Sequence, residues 1–148
     1  MLEALLSTVH LGLLAGWVGA MTYSLVNVQP TLAAFFEGGD DEAHEQLLAR
    51  LAHGNRWRVV ALVAAITASG AALWVVQSYD RSTVRAAQLL LLATAGGVFW
   101  YVSWRHWPRR VFALPAERPG MRRRLRLLAT AMTALAAATF VLGVVASG

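Results

Sequence analysis

Residues 4–36, ALLSTVHLGLLAGWVGAMTYSLVNVQPTLAAFF, run from Glu3 to Glu37 without one charged side chain, and they decide the fold. Three more charge-free stretches follow, Val59 to Tyr79, Ala86 to Trp104 and Leu127 to Gly148. A hydrocarbon core of about 30 Å needs roughly 20 apolar residues at about 1.5 Å rise. The stretches reach that length or fall just short, so they predict four membrane helices at about 4–30, 58–79, 84–106 and 124–146. The fold class expected is an all-α membrane bundle, up-down-up-down, with 1–148 as a single membrane domain. Pro30 would mark where the first helix leaves the bilayer or kinks. The N-terminal stretch lacks a basic leader and reads as a retained helix rather than a secretory signal.

Composition agrees. The chain is 57% hydrophobic and 14% charged, with a mean hydropathy of +0.52, so water is not its main solvent. The absence of cysteine excludes disulfides, thiolate metal sites and Cys nucleophiles. All 13 basic residues are arginine, which removes lysine Schiff-base chemistry and leaves cations that stay protonated. The lack of Lys beside abundant Ala, Leu, Arg and Val points to a bacterial genome rich in GC. No phosphate loop, nucleophile elbow or paired intramembrane carboxylates are present, which argues against hydrolytic and phosphoryl-transfer enzymes and leaves a non-enzyme as the leading expectation, with other enzyme classes open.

The arginines also set an orientation. Arg50, Arg56 and Arg58 lie between spans one and two, and Arg105, Arg109, Arg110, Arg118, Arg122, Arg123, Arg124 and Arg126 between three and four. Only Arg81 and Arg85 lie on the other side, a split of 11 to 2 that puts both long loops in the cytoplasm and both termini outside a bacterial inner membrane. Anionic inner-leaflet lipid suffices as partner for these loops, without nucleic acid. Trp57, Trp104 and Trp107 would anchor the inner interface, Trp74 and Tyr79 the outer one. Acidic Asp40, Asp41, Glu42 and Glu45 ahead of Leu47, Leu48 and Leu51 predict a short amphipathic helix capped by Asp40 or Asp41. The three prolines of Pro108 to Gly120 predict an extended connection.

Small residues at four-residue spacing are the expected packing seams: Gly12, Gly16 and Ala20; Ala61, Ala65 and Ser69; Ala93 and Gly97; Ala129, Thr133 and Ala137. A leftover seam would serve a homodimer or a partner membrane protein. Polar groups inside a membrane are the default place to look for function. His10 is the only histidine inside a span, on a face with Glu3, Ser7, Leu14, Trp17, Met21 and Ser24. Gln77, Ser78 and Gln88 lie at similar depth, so an outward pocket would gather an imidazole, amides and an indole wall. Two readings stand together: a ligand or proton relay at His10, with Met132 or Met21 as a thioether donor, or a histidine that locks helix register. His44, His53 and His106 match no compact ligand motif and are expected in solvent or among headgroups.

The pattern His10-x6-Trp17-x-Gly19, then Tyr23 and Pro30, resembles the opening helix of CopD-type copper-resistance membrane domains and of the related HemJ protoporphyrinogen oxidases. Asn55-Arg56-Trp57, Ser69-Gly70 and the arginine-rich approach to span four extend the likeness. The resemblance implies copper or haem b in contact with His10, and it does not supply the rest of the site; the residues themselves offer Trp17 as a wall, Gln77 and Gln88 as groups orienting the ligand near the outer face, and Met132 as a second donor. The chain departs from the pattern where those families place a lysine, since Gln88 stands early in span three and lysine is absent; porphyrinogen oxidation is argued against. The alternatives are a non-catalytic subunit that docks a partner protein, and a haem or quinone redox protein.

Overall fold

The computed structural model describes residues 1–37, 39, 41–76 and 82–147. They form a bundle of helices with no strand among the described residues, and four helical stretches are long and apolar enough to cross a membrane. The protein is therefore a multi-pass membrane protein. Much of its apolar surface faces outward, with Val75, Leu90, Val26 and Leu127 all more than half exposed, as a lipid solvent permits.

The first stretch comprises α1 (Leu2–Tyr23), a π-helical turn (Ser24–Val28) and α2 (Gln29–Phe35). Here the Gln29 N–H bonds the Ser24 carbonyl, five residues back, so the ladder is already widened where Pro30 brings no N–H. The helix passes through the proline and ends at Phe36. The third stretch repeats this device: α4 (Ser82–Tyr101), a π turn (Val102–His106) in which the Trp107 N–H reaches the Val102 carbonyl, and α5 (Trp107–Val111), which carries Pro108.

Two expectations about the connections are corrected. The segment from Pro108 to Gly120 is not extended: Pro108 follows the π turn inside a continuing helix, and Pro115 and Pro119 sit in first-turn positions, where a missing N–H costs nothing. Only Phe112–Leu114 separate α5 from a 3-10 turn (Pro115–Glu117), and α6 (Arg118–Ser147) follows with Pro119 in its first turn. The amphipathic segment, in turn, is not a separate helix. It is the start of α3 (Asp41–Val76), 36 residues that would extend about 54 Å, so its first turns project beyond a hydrocarbon core. The expected cap Asp40 lies outside the described residues.

α1 packs against both α3 and α6, and α4 packs against α6, whereas α3 and α4 meet least of the neighbouring pairs among the described residues. Leu14 and Trp17 from α1, Ile66 from α3, Leu92 and Ala95 from α4 and Ala136 from α6 form one buried layer, flanked by Met21, Leu62 and Met132. The glycine row expected to pack α1 does not do so within the chain. A Cβ added at Gly12, Gly16 or Gly19 would meet nothing within 4 Å. The close approaches occur at Gly70 and Gly143 instead.

The two halves of the chain are copies of one design. Gly19-x3-Tyr23-x6-Pro30 returns as Gly97-x3-Tyr101-x6-Pro108, 78 residues later, and both π turns keep this offset. Buried His10, Leu14 and Trp17 correspond to buried Gln88, Leu92 and Ala95. On the helices they face, buried Ile66, Gly70 and Leu73 correspond to Thr139, Gly143 and Ala146. The α1–α3 pair thus matches α4–α6.

Candidate functional site

Four helices converge on His10, which is buried. Its Nδ1 lies 2.9 Å from Ser69 Oγ, and its Cε1 stands 3.2 Å from where a Cβ on Gly70 would be. Gln88 approaches from α4: its Nε2 donates to the Thr139 carbonyl at 3.1 Å and lies 3.5 Å from His10 Nε2, and its Oε1 accepts from Arg85 Nη1 at 2.9 Å. These contacts fix the directions. Because Gln88 turns its amide nitrogen toward the ring, Nε2 is the acceptor in the neutral imidazole and Nδ1 carries the proton. Ser69 Oγ in turn donates to the Ile66 carbonyl at 3.0 Å, leaving its lone pairs for Nδ1–H.

The arrangement does not fit a resident copper ion or haem. The Nε2 lone pair faces an amide N–H, with a guanidinium behind it. The void bounded by His10, Gly70, Trp74, Arg85, Gln88 and Thr139 holds about 10 Å³, the lower limit for one water. Among the described residues, no three His, Cys, Asp or Glu side chains gather as a metal set. Met132 lines a different cavity, beyond the buried layer, together with Trp17. Of the residues singled out in the sequence, His10 and Gln88 meet, Trp17 belongs to the core, Met132 is elsewhere, and Gln77 lies outside the described residues.

That other cavity, about 730 Å³, occupies the arginine-rich end of the bundle. Trp17, Met21, Leu62, Phe99 and Met132 supply apolar walls; Arg50, Arg56, Arg58, Arg110, Arg122 and Arg126 line it, and among the described residues no carboxylate does. Arg50, Arg58 and Arg126 have no ion-pair partner among the described residues. Arg56 donates through Nη2 to the Ser103 carbonyl at 2.7 Å and lies 5.0 Å from the centre of the Trp104 ring. Ser103 is the carbonyl five residues before Pro108, so the proline leaves it without the backbone partner that a π-type ladder would supply.

The remaining arginines are tied to α3. Arg110 grips Glu45 with two bonds, 2.7 and 3.0 Å, and stacks on Trp107. Arg122 bonds both Glu45, at 2.8 Å, and Asp41, while Arg118 reaches Asp41 at 2.9 Å. These groups lie beyond the apolar segments. Bonds from Arg118 and Arg122 hold the Asp41 carboxyl below its ordinary value; burial pushes Glu45 up, but the bonds from Arg110 and Arg122 outweigh it and the net shift is downward. A carboxylate depressed in the folded state stabilises it above the unfolded value of about 4, and that stability is lost as pH falls through the folded value. Thermal midpoints in detergent, followed by circular dichroism, are accordingly expected to hold from about pH 8 to 7, to slip as pH falls through about 6.5, where buried His44 stays neutral while the unfolded chain takes up a proton there, and to drop further below about pH 4, that last drop being smaller in Glu45→Gln.

His44 and His106 are buried, against the expectation that they face solvent or headgroups. His44 stacks on Phe36 at 4.9 Å and lines the cavity, and burial, then Arg122, holds its pKa below 6.5. The cavity itself was missed in the sequence. Its signal was Arg122 and Arg126 continuing, at helical spacing, the row Ala129, Thr133 and Ala137 read as a packing seam.

The chain matches no family model, and comparisons with curated protein sequences and with solved structures find no match.

Proposed function

We propose that this multi-pass protein, in a bacterial inner membrane, holds an acidic amphiphile, its carboxylate or phosphate among the cavity arginines and its apolar body against Trp17, Met21, Phe99 and Met132. One observation carries the reading: a cavity of about 730 Å³, within the size range of ligand pockets, pairs an apolar wall with six arginines and, among the described residues, no lining carboxylate. Arg110 and Arg122 already meet Glu45 and Asp41, whereas Arg50, Arg58 and Arg126 have no ion-pair partner among the described residues, and an anionic head would give them a charge-assisted one. By the distribution of arginines, the helices cross up-down-up-down with both termini outside, so the cavity belongs to the cytoplasmic leaflet. Of the cofactors implied by the CopD resemblance, haem alone suits such a cavity, as a flat apolar ring with two carboxylates. Met21, Met132, His44 and Tyr23 are the wall residues with side-chain donors of the kind that hold haem iron, and a bound haem would supply electron transfer.

The test uses delipidated protein in detergent and two fluorescent single-chain probes, one with a phosphate head and one with phosphocholine. The phosphate probe is expected to bind preferentially. Arg126→Ala and Arg58→Ala should each weaken it about tenfold or more, as the loss of a charge-assisted bond of about 1.5–3 kcal/mol requires. Equal binding of both probes, indifferent to either substitution, would sink the reading. A visible spectrum of the protein as purified separates haem from colourless amphiphiles.

A further inference from the structure

The relation between the two halves exposes an inequality. If α1–α3 matches α4–α6, then the seam between α1 and α6 has its counterpart in the seam between α4 and α3. The first is closely packed, and the second is the loosest contact between neighbouring membrane helices among the described residues. The arginine-lined cavity lies beside this weak seam. A second cavity, about 490 Å³, lies where α3 meets Trp107, Pro108 and Val111, and Arg50, Ala52, Gly54, Arg56 and Trp107 line both spaces. The same few side chains thus form the partition between them.

We infer that the seam between α3 and α4 is a lateral portal through which the ligand passes between the cavity and the surrounding lipid leaflet, with Arg56 as its latch. This rests on the amphiphile reading above. The latch is built from one side chain on α3 and the π turn that follows α4. Arg56 bonds the Ser103 carbonyl and covers Trp104, and Trp57, its neighbour on α3, meets Trp104 edge-on at 6.4 Å. Arg56 Nε is buried without a hydrogen-bond partner among the described residues. Few bonds hold the closure, and an anionic head drawn along the seam offers the guanidinium a stronger acceptor than a neutral carbonyl. The route also suits the ligand, because an acyl or polycyclic body moving sideways never leaves apolar surroundings. The source is therefore the bilayer rather than the aqueous phase.

The absence of native cysteine makes the seam directly testable. A Cβ on Gly96 would lie 4.0 Å from Val63 Cγ1, so Val63→Cys with Gly96→Cys places two thiols across the seam within reach of a disulfide. The protein is reconstituted in vesicles, and exchange of the fluorescent phosphate amphiphile between vesicle lipid and cavity is timed. Oxidation of the pair is expected to slow loading and release at least tenfold, with reversal by dithiothreitol. Arg56→Ala is expected to speed both directions, whereas a mere loss of affinity would speed release only. Exchange at the unmodified rate in the oxidised pair, or faster release alone in Arg56→Ala, overturns the portal while leaving the cavity reading intact. If the probe fails to bind even the reduced and wild-type proteins, the cavity reading falls and the portal with it.

Discussion

Glu45→Ala is expected to destabilise the folded protein by about 3–5 kcal/mol, read as a lowered midpoint of unfolding in a detergent titration. The reason is what the substitution leaves behind. Arg110 has a side chain only 2% exposed, and both of its bonds to a carboxylate end on Glu45, itself 13% exposed. Without Glu45, a buried guanidinium keeps its stack on Trp107 but has lost its counter-charge, and Arg122 loses one of its two acids. Asp41→Ala is the comparison. Its carboxylate is half exposed, so the loss there is expected to be at most about 1 kcal/mol. Similar losses in the two variants would show that α3 is not anchored through the Arg110 pair.

His10→Ala should destabilise by about 2–4 kcal/mol, from interhelical bonds of roughly 0.6–2 kcal/mol each and from the void opened against Gly70. The ring is the one side chain bonded at once to Ser69 on α3 and near Gln88 on α4, while Gln88 ties on to α6 through the Thr139 carbonyl. His10→Gln, which copies the residue at the matching position of the second half, should recover part of the loss. Copper or haem content is expected to be the same in wild type and His10→Ala. A variant that kept its stability and lost a bound metal or haem would reverse this assignment and make His10 a ligand.

Both predictions bear on how much could be read from the residues. Charge-free stretches reveal membrane helices because a bilayer tolerates few alternatives, and all four were legible. His10 with Gln88 was also legible, because polar groups at equal depth in lipid seek each other. Met132 does not join His10 because it sits too deep in the fourth span: seven residues, about 10 Å of helix, separate it from Thr139 beside Gln88, and it lines the other cavity with Trp17. Pro108, Pro115 and Pro119 misled because proline disrupts a helix only where its N–H is needed. The repeat of Gly-x3-Tyr-x6-Pro was present but unread, since its spacing of 78 residues exceeds any window used to find helices. The cavity needed three dimensions, as its arginines come from α3, α5 and α6.

The buried layer is also thin. On one side of it stand Arg85 and the amide and imidazole dipoles, and on the other the cavity arginines, so both flanks are polarisable. Seven residues separate His10 from Trp17 and Gln88 from Ala95, about 10 Å of helix, against about 30 Å for an unmodified hydrocarbon core. Leu14, Trp17, Ile66, Leu92, Ala95 and Ala136 fill that short distance, so an apolar partition about a third as thick as plain lipid separates the His10–Gln88 contacts from the cavity arginines. A polar replacement among these six would have to find its hydrogen-bond partner inside a buried apolar layer whose backbone groups are already paired within their helices, and it would therefore destabilise the bundle.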